Sequence, residues 1–543
     1  MSKQRRNLIG GVVLLLVAVT LAYSNTFSGP FIFDDTINIV ENSSIRNLWS
    51  PEAAGIVSRP VVNFSLAVNY AISGLEVWSY HLFNLLVHLL AAVTLLGIVG
   101  RTFRYRGGDI SAEDAFLFSL VCAFLWALHP LQTQAVTYVI QRCESLMALF
   151  CMLTLYCALR GWQANPPGPW HLLAVLAFLL AAGSKEAAVV APLLLFSYEW
   201  VFRGYRPFQA VRQSPLLYAG LALGAVMMVA LAGMGNTLLS ATEETPISAF
   251  AYWITQCEVI LHYLRLTLWP SGLTIDYAWP AATLREVWPA VAAVLMLLGL
   301  SCWAVARRRP AGFLGLSFFL LLAPTSLIPL PDLAFEHRMY LPLAPLIVLL
   351  VGAVVQGYRW GTGRLHLPPM PSGSPARRAS LALIACLALG LGFLTFERNG
   401  DYRSEKTIWA DTLQKRPANF RGHHGLGLAL SREGRREEAL GSLLRAVELN
   451  PRNAYAQNDA GYLLVLLQRP EEAIPFFRES IRIKPRLAKA HNNLGAALAQ
   501  TNRLEEAIAH FVLSLQIKPD YASARDNLRR ASAALEQRAG SRR

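Results

Sequence analysis

Long apolar runs separated by short polar connections dominate residues 1–396. After residue 397 they give way to the mixed apolar and charged periodicity of a soluble helical protein. A helix needs about 20 mainly apolar residues to cross a bilayer core. Runs at 7–23, 80–100, 115–129, 143–160, 170–183, 187–202, 215–234, 287–306, 311–330, 341–357 and 380–396 meet that need approximately and predict about eleven spans. The first run follows Lys3, Arg5 and Arg6 without a small-x-small cleavage site, so it reads as an uncleaved anchor. A further apolar stretch, 250–269, carries Glu258, His262 and Arg265. Charges at a bilayer centre cost several kcal/mol, so this stretch predicts an interfacial or re-entrant helix. The expected fold class is all-α, a polytopic helical membrane domain (1–396) followed by a helical solenoid.

The solenoid is read from a period. Pro417, Pro451, Pro485 and Pro519 are spaced 34 residues apart, which is the tetratricopeptide helix–turn–helix repeat. Three repeats are expected at 420–453, 454–487 and 488–521, together 420–521. A linking half repeat at 397–419 carries Trp409, and 522–543 supplies a capping helix and tail. Gly427, Gly461 and Gly495 recur at one position of each first helix, where a small residue lets the second helix approach. Ala439, Ala473 and Ala507 recur in each second helix, preceded by the acidic pairs Glu437-Glu438, Glu471-Glu472 and Glu505-Glu506. Those acids sit at helix starts, where they favour the dipole. Asn458 and Asn492 share one repeat position. They are expected on the concave face, where an amide can donate to and accept from an extended peptide acceptor.

Composition narrows the class. With 54% hydrophobic and 15% charged residues, the chain is not a single soluble enzyme, a disordered protein or a secreted disulfide scaffold. Its seven cysteines form no C-x-x-C pair, and no zinc site is expected. The net charge of +14 does not indicate nucleic acid, because it divides into surpluses of +6 in 1–396 and +8 in 397–543. Arginine outnumbers lysine 42 to 7, a compositional habit of GC-rich bacterial genomes. Basic residues collect on cytoplasmic loops. With the N-terminus inside, 17 of the 24 basic residues of 1–396 fall on the inner side, and the repeats fall outside. The seven exceptions are Arg46, Arg59, Arg142, Lys185, Arg265, Arg285 and Arg338. Three stand beside acids near span ends: Arg142 with Glu144, Lys185 with Glu186 and Arg338 with Glu336. Ionisable groups held near membrane depth are functional-site candidates, although each pair could also be a local ion pair closing a turn.

The long first outer loop, 24–79, holds Asp34 and Asp35 just beyond the first span. A carboxylate there can serve as a general base if it reaches the group it deprotonates. The alternative is a helix-capping pair.

Taken in order, F-D-D at 33–35, R-P at 59–60, N-Y at 69–70, F-N-x-x-x-H at 83–88, A-L-H-P-x-x-T at 127–133, Q-R-C-E at 141–144, K-E at 185–186, L-x-x-D-Y at 273–277 and E-x-R-x-Y-x-P at 336–342 carry a resemblance. The chain resembles the transmembrane and tetratricopeptide-repeat branch of the C-type glycosyltransferases, relatives of the protein O-mannosyltransferases. The resemblance implies a bacterial inner-membrane enzyme with periplasmic repeats. It would pass a sugar, mannose by analogy, from a polyprenyl-phosphate carrier to a hydroxyl of an extracytoplasmic protein, with inversion. It implies Asp34 or Asp35 as the catalytic base. Arg142, Lys185 and Arg338 would hold the lipid phosphate, with His129, Glu144, Glu186, Asp276 and His337 as further donor-site residues. The repeats would recruit the protein acceptor. No cofactor is implied beyond the lipid-linked sugar, no metal ligands are assigned, and the need for a divalent metal is left open. One departure stands out: Gln134 follows the motif threonine where related chains often carry an acid, so an acid or metal role there is not carried over. The competing readings are an oligosaccharide ligase or polymerase, which would keep its reactive residues in a large late outer loop, and a non-catalytic membrane-anchored repeat scaffold.

Overall fold

The computed structural model describes residues 3–48, 59–105, 111–234, 247–361 and 375–540. The part of the first outer loop at 49–58, together with Arg106 and Arg364 of the expected inner loops, lies outside the described residues. The described residues are helical or irregular and contain no strand. They divide into two compact units. One comprises residues up to Leu273 and Trp279–Ser404. The other comprises Thr274–Ala278 and Glu405 onward.

In the first unit, five helices are long and apolar enough to cross a membrane: Trp78–Phe103, Val139–Gln163, Leu284–Ala306, Pro310–Leu327 and Ala382–Asp401. The number rises to seven if each bent pair, Ala112–Ala127 with Pro130–Thr137 and Glu186–Arg203 with Pro207–Gln213, counts as one span. Four shorter apolar helices, Leu8–Ala22, Trp170–Ala182, Pro215–Met228 and Leu343–Gly357, fall on the remaining expected runs. The helix Ala249–Leu268 begins with a Ser248 cap and buries Tyr252, Gln256, Val259, Tyr263 and Leu266. Those positions recur at helical spacing, so this helix has one protein-facing side.

Small residues bring the apolar helices together. A Cβ on Gly97 would lie 2.8 Å from the Tyr156 ring, so only glycine allows Trp78–Tyr105 this close to Arg142–Gln163. Without a hydrophobic drive between helices in lipid, such close packing is what holds a bundle together. Aromatic and polar anchors then fix the ends. His88 contacts the Tyr340 hydroxyl at 2.7 Å and the Ala127 carbonyl at 3.0 Å, and Trp126 donates to the Tyr340 carbonyl at 3.0 Å.

The second unit is a stack of helix pairs. Phe420–Arg432 pairs with Arg436–Leu449, Ala454–Leu466 with Pro470–Ile483, and Ala488–Gln500 with Leu504–Ile517. Glu405–Lys415 precedes the stack and Ala522–Gly540 closes it. Ala439, Ala473 and Ala507 are fully buried in a core continued by Leu443, Phe477 and Phe511. A Cβ on Gly461 would meet the Phe477 ring at 2.9 Å, and one on Gly495 would meet Phe511 at 2.7 Å.

Candidate functional site

The chemistry-bearing residues of the first unit converge around the segment 129–144. Phe33 has a left-handed backbone (φ 50°), which places the two aspartates after it in unlike settings. Asp35 is fully buried. Its oxygens accept from the backbone N–H of Ile32 at 3.1 Å and of Ile140 at 2.7 Å. Burial raises its pKa to about 7, against the pull of those two amides. Asp35 therefore ties the loop to the start of the Arg142 helix. Asp34 is only half-buried. Its N–H donates to the Tyr138 hydroxyl at 2.8 Å, and that hydroxyl also bonds its side chain. Asp34 is thus the more accessible of the two acids.

One helical turn before Tyr138, Gln134 accepts the backbone N–H of His337 at 2.8 Å. Residues four apart on a helix are neighbours. Thr133–Thr137 and the residue after it thus link the Asp34 loop to the Glu336–Met339 turn. Neither Gln134 nor Tyr138 stood out as functional in the sequence.

The cations re-pair relative to expectation. Arg142 does not pair with Glu144. It is fully buried and donates to Asn69 Oδ1 at 2.6 Å, Ser65 Oγ at 3.3 Å and the Tyr80 carbonyl at 3.2 Å. It is a packing centre and not an accessible phosphate ligand. Lys185 does not pair with Glu186 but with Glu144, in a close, nearly buried contact. Glu186 instead takes Arg59 at 3.3 Å. The physical reason is that residues one or two apart on a helix or turn point in different directions, so partners come from other segments. Arg59 was absent from the expected site set. It adopts φ 66° before Pro60, a conformation that a residue preceding proline rarely takes.

Arg338 donates to its own loop's carbonyls, Leu333 at 3.0 Å and Asp332 at 2.8 Å, and to the Tyr252 hydroxyl, and among the described residues makes no ion pair. The Leu333 carbonyl is shared with Gln256, and Tyr263 bonds both the N–H and the carbonyl of Phe335. The helix Ala249–Leu268 therefore cradles the loop that presents Arg338. His337 stacks on Phe335 with ring centres 5.0 Å apart, and its Nδ1 has no partner. Burial, then the positive charges of Lys185, Arg338 and Arg59, hold its pKa well below the usual histidine range.

Glu144 and Arg338 line one small pocket with Leu321 and Leu341. The same two leucines also line a cavity of about 980 Å³ that is almost wholly apolar. That cavity extends past Leu95, Phe118 and Leu314 to Asp114 and Gln356. Arg338, and Glu144 with its partner Lys185, thus stand at the polar end of a long apolar chamber.

Two expected site residues lie elsewhere. His129 caps the following turn: Nδ1 accepts from Leu131 N–H at 3.2 Å, and Nε2 contacts the Thr267 carbonyl at 3.2 Å. With both nitrogens engaged, it is not a phosphate ligand. Asp276 belongs to the second unit, buried and ion-paired with Arg421 at 2.9 Å, with Asn419 donating to it at 3.2 Å. It anchors the segment Thr274–Ala278 within the second unit. Among the described residues no three His, Cys, Asp or Glu side chains converge as a metal site.

In the repeats, Asn458 and Asn492 do not face solvent, being 1% and 6% exposed. Asn458 donates to Asp459 at 2.8 Å and accepts from Asn493 at 3.0 Å. Asn492 donates to Asn493 at 3.3 Å and accepts from Asn527 at 2.9 Å. His424 and Lys489 close the ladder on Asp459 at 3.0 and 3.2 Å. The amides join neighbouring repeats, because burial leaves a polar group no alternative to an internal partner.

Comparison with known proteins agrees with both parts of this picture. The tetratricopeptide repeat family matches residues 424–488 and 488–521. A protein O-mannosyl-transferase of Caenorhabditis elegans is 22% identical, covering 83% of this chain and 64% of its own length. The chain is similar to protein O-mannosyl-transferases. TMTC4 of Mus musculus, so named, is 24% identical over 77% of this chain and 64% of its own length. TMTC3 of Homo sapiens is 23% identical over 83% and 52%. This chain therefore spans between about half and two thirds of the length of these relatives.

Proposed function

We propose that this chain is a membrane glycosyltransferase that moves a sugar, mannose by similarity, from a polyprenyl-phosphate carrier to a hydroxyl of an extracytoplasmic protein. The observation that carries the proposal is the meeting of an apolar chamber with a small pocket lined by Arg338, with a half-buried aspartate held by Tyr138 in the same unit. A polyprenyl tail fits the chamber. Its phosphate would lie at Arg338, which among the described residues makes no ion pair, with Lys185 and Arg59 nearby. The acceptor hydroxyl attacks the anomeric carbon and inverts it. Asp34 takes the hydroxyl proton as the carbon–oxygen bond forms. The bond to the carrier phosphate breaks, and the charge left on that phosphate is stabilised by Arg338. Tyr138 holds Asp34 in place. Eleven spans with the N-terminus inside, in a bacterial inner membrane, would put this site and the repeats on the extracytoplasmic side. The repeats would recruit the protein acceptor.

The test is to incubate the purified chain with a panel of polyprenyl-phosphate sugars and an extract of extracytoplasmic proteins. Mass spectrometry should find one donor whose sugar mass appears on serine or threonine of an acceptor. No sugar transferred from any carrier, by protein that is folded and binds the carriers, would remove the proposal.

A further inference from the structure

The helix Glu186–Arg203 runs from the cationic pocket to the opposite end of the first unit. Its 18 residues, a 3-10 segment Glu186–Val190, an α-helix Ala191–Tyr198 and a π segment Glu199–Arg203, rise roughly 25–30 Å, close to a bilayer core. The helix Pro310–Leu327 makes the same journey in reverse, from the turn Arg307–Arg309 to Leu321 and Thr325 of the pocket. Arg203 and the Arg307–Arg309 turn therefore share the far end. They also touch. Arg308 lies over the Trp200 ring at 4.6 Å, Trp200 donates to the Val305 carbonyl at 2.9 Å, and a Cβ on Gly204 would lie 3.1 Å from the Arg308 guanidinium.

From this end the helix Pro207–Gln213 leaves at 96° to the helix before it. If Glu186–Arg203 crosses the bilayer, Pro207–Gln213 lies along its surface. Phe208 and Val211, three residues apart, are 73% and 39% exposed. Arg206 and Arg212 flank them, and Arg212 packs over the Phe208 ring. Apolar side chains beside arginines on an in-plane helix are the arrangement that beds into a headgroup layer.

The charge pattern identifies the partner. At the pocket end, Arg59 and Lys185 meet carboxylates. At the far end, Glu199 is consumed by Arg203 and the Tyr218 hydroxyl. Arg206, Arg212, Arg307, Arg308 and Arg309 are exposed, and among the described residues none pairs with an acid. We infer that these five arginines, with Phe208 and Val211, form a binding surface for anionic phospholipid headgroups on the membrane face opposite the cationic pocket. The guanidinium groups bind the phosphates, and the two apolar side chains sit among the acyl chains.

Each arginine near an anionic leaflet contributes about fivefold to binding. Native mass spectrometry of the full-length chain, offered equal phosphatidylglycerol and phosphatidylcholine, should therefore find phosphatidylglycerol retained at least tenfold better. The combined change Arg206→Gln, Arg212→Gln, Arg307→Gln, Arg308→Gln and Arg309→Gln should bring the ratio close to one. The corresponding five Arg→Lys changes should keep most of it, and raising salt should erode it in the unaltered chain. Equal retention of the two lipids by the unaltered chain overturns the inference. So does a preference that survives the glutamine changes or is indifferent to salt. If the glutamine variant does not fold, the salt response of the unaltered chain decides alone.

Discussion

The cationic pocket and the asparagine ladder were both marked by polar residues in places where polarity is costly, yet they differ in what those residues have left to offer. In the ladder every amide is used: Asn458 bonds Asp459 and Asn493, and Asn492 bonds Asn493 and Asn527. In the membrane unit, among the described residues, His337 Nδ1 has no hydrogen-bond partner, Arg338 meets carbonyl oxygens of its own loop and the Tyr252 hydroxyl without an ion pair, and Asp34 is half-buried. A buried polar pattern is a recognition site only where hydrogen-bonding capacity remains after the fold has taken its share. The same rule removes His129, both of whose ring nitrogens are engaged, from the expected phosphate ligands, and complete burial removes Arg142.

Four substitutions break or sharpen that contrast. The largest expected effect is on Lys185. Lys185→Ala leaves Glu144 buried without its cation, and removing one partner of such a pair costs about 3–5 kcal/mol. Chemical denaturation of the detergent-purified chain should show the membrane unit destabilised by that amount. Arg338→Ala breaks no ion pair. It should leave the melting temperature nearly unchanged while lowering turnover by about 10²–10³-fold and weakening binding of a polyprenyl-phosphate sugar. Asn458→Ala should act the opposite way. It leaves Asn493 without an acceptor and should destabilise the repeats by about 1–3 kcal/mol, with acceptor KM unchanged wherever the chain stays folded. A raised KM with intact stability would return this residue to the peptide-binding role first expected of it.

A pH slope is expected as well. Asp35 has a folded pKa of about 7, against about 3.9 when unfolded. Between those values the folded state holds the extra proton, so stability falls as pH rises and levels off above about 7. Asp35→Asn should flatten that part of the pH–stability profile. An unchanged slope would show that another group carries it.

Much of the architecture was legible in the sequence because it rests on periodicity. The 34-residue proline spacing located helix pairs that begin at Phe420, Ala454 and Ala488. The apolar runs fell on helices because a continuous apolar stretch has few other uses. The charged residues of 250–269 distinguished that stretch from the rest, and its buried face carries Tyr252, Gln256 and Tyr263. The site was legible as a list of residues and not as an arrangement. Adjacent opposite charges suggested pairs, but pairing is set by direction: Glu144 found Lys185 and Glu186 found Arg59. Motif residues also divide in a way that spacing does not reveal. Asn84 of F-N-x-x-x-H donates to the carbonyls of Val136 and Val139, and His88 braces Tyr340. These residues hold the scaffold on which Asp34 and Arg338 are presented. Tyr138 gave no charge signal, Gln134 was marked only as a departure from the motif, and the roles of both became visible through their partners.

The central claim is that Asp34, and not its buried neighbour, takes the proton of the acceptor hydroxyl. Single-turnover transfer from a labelled polyprenyl-phosphate sugar, measured beside donor binding in the same preparation of Asp34→Asn, tests it most directly. The account predicts donor binding within about twofold of the unaltered chain and transfer slowed by about 10²–10⁴-fold, the usual loss when a positioned base is removed. Transfer at the full rate by folded, donor-binding Asp34→Asn would contradict it.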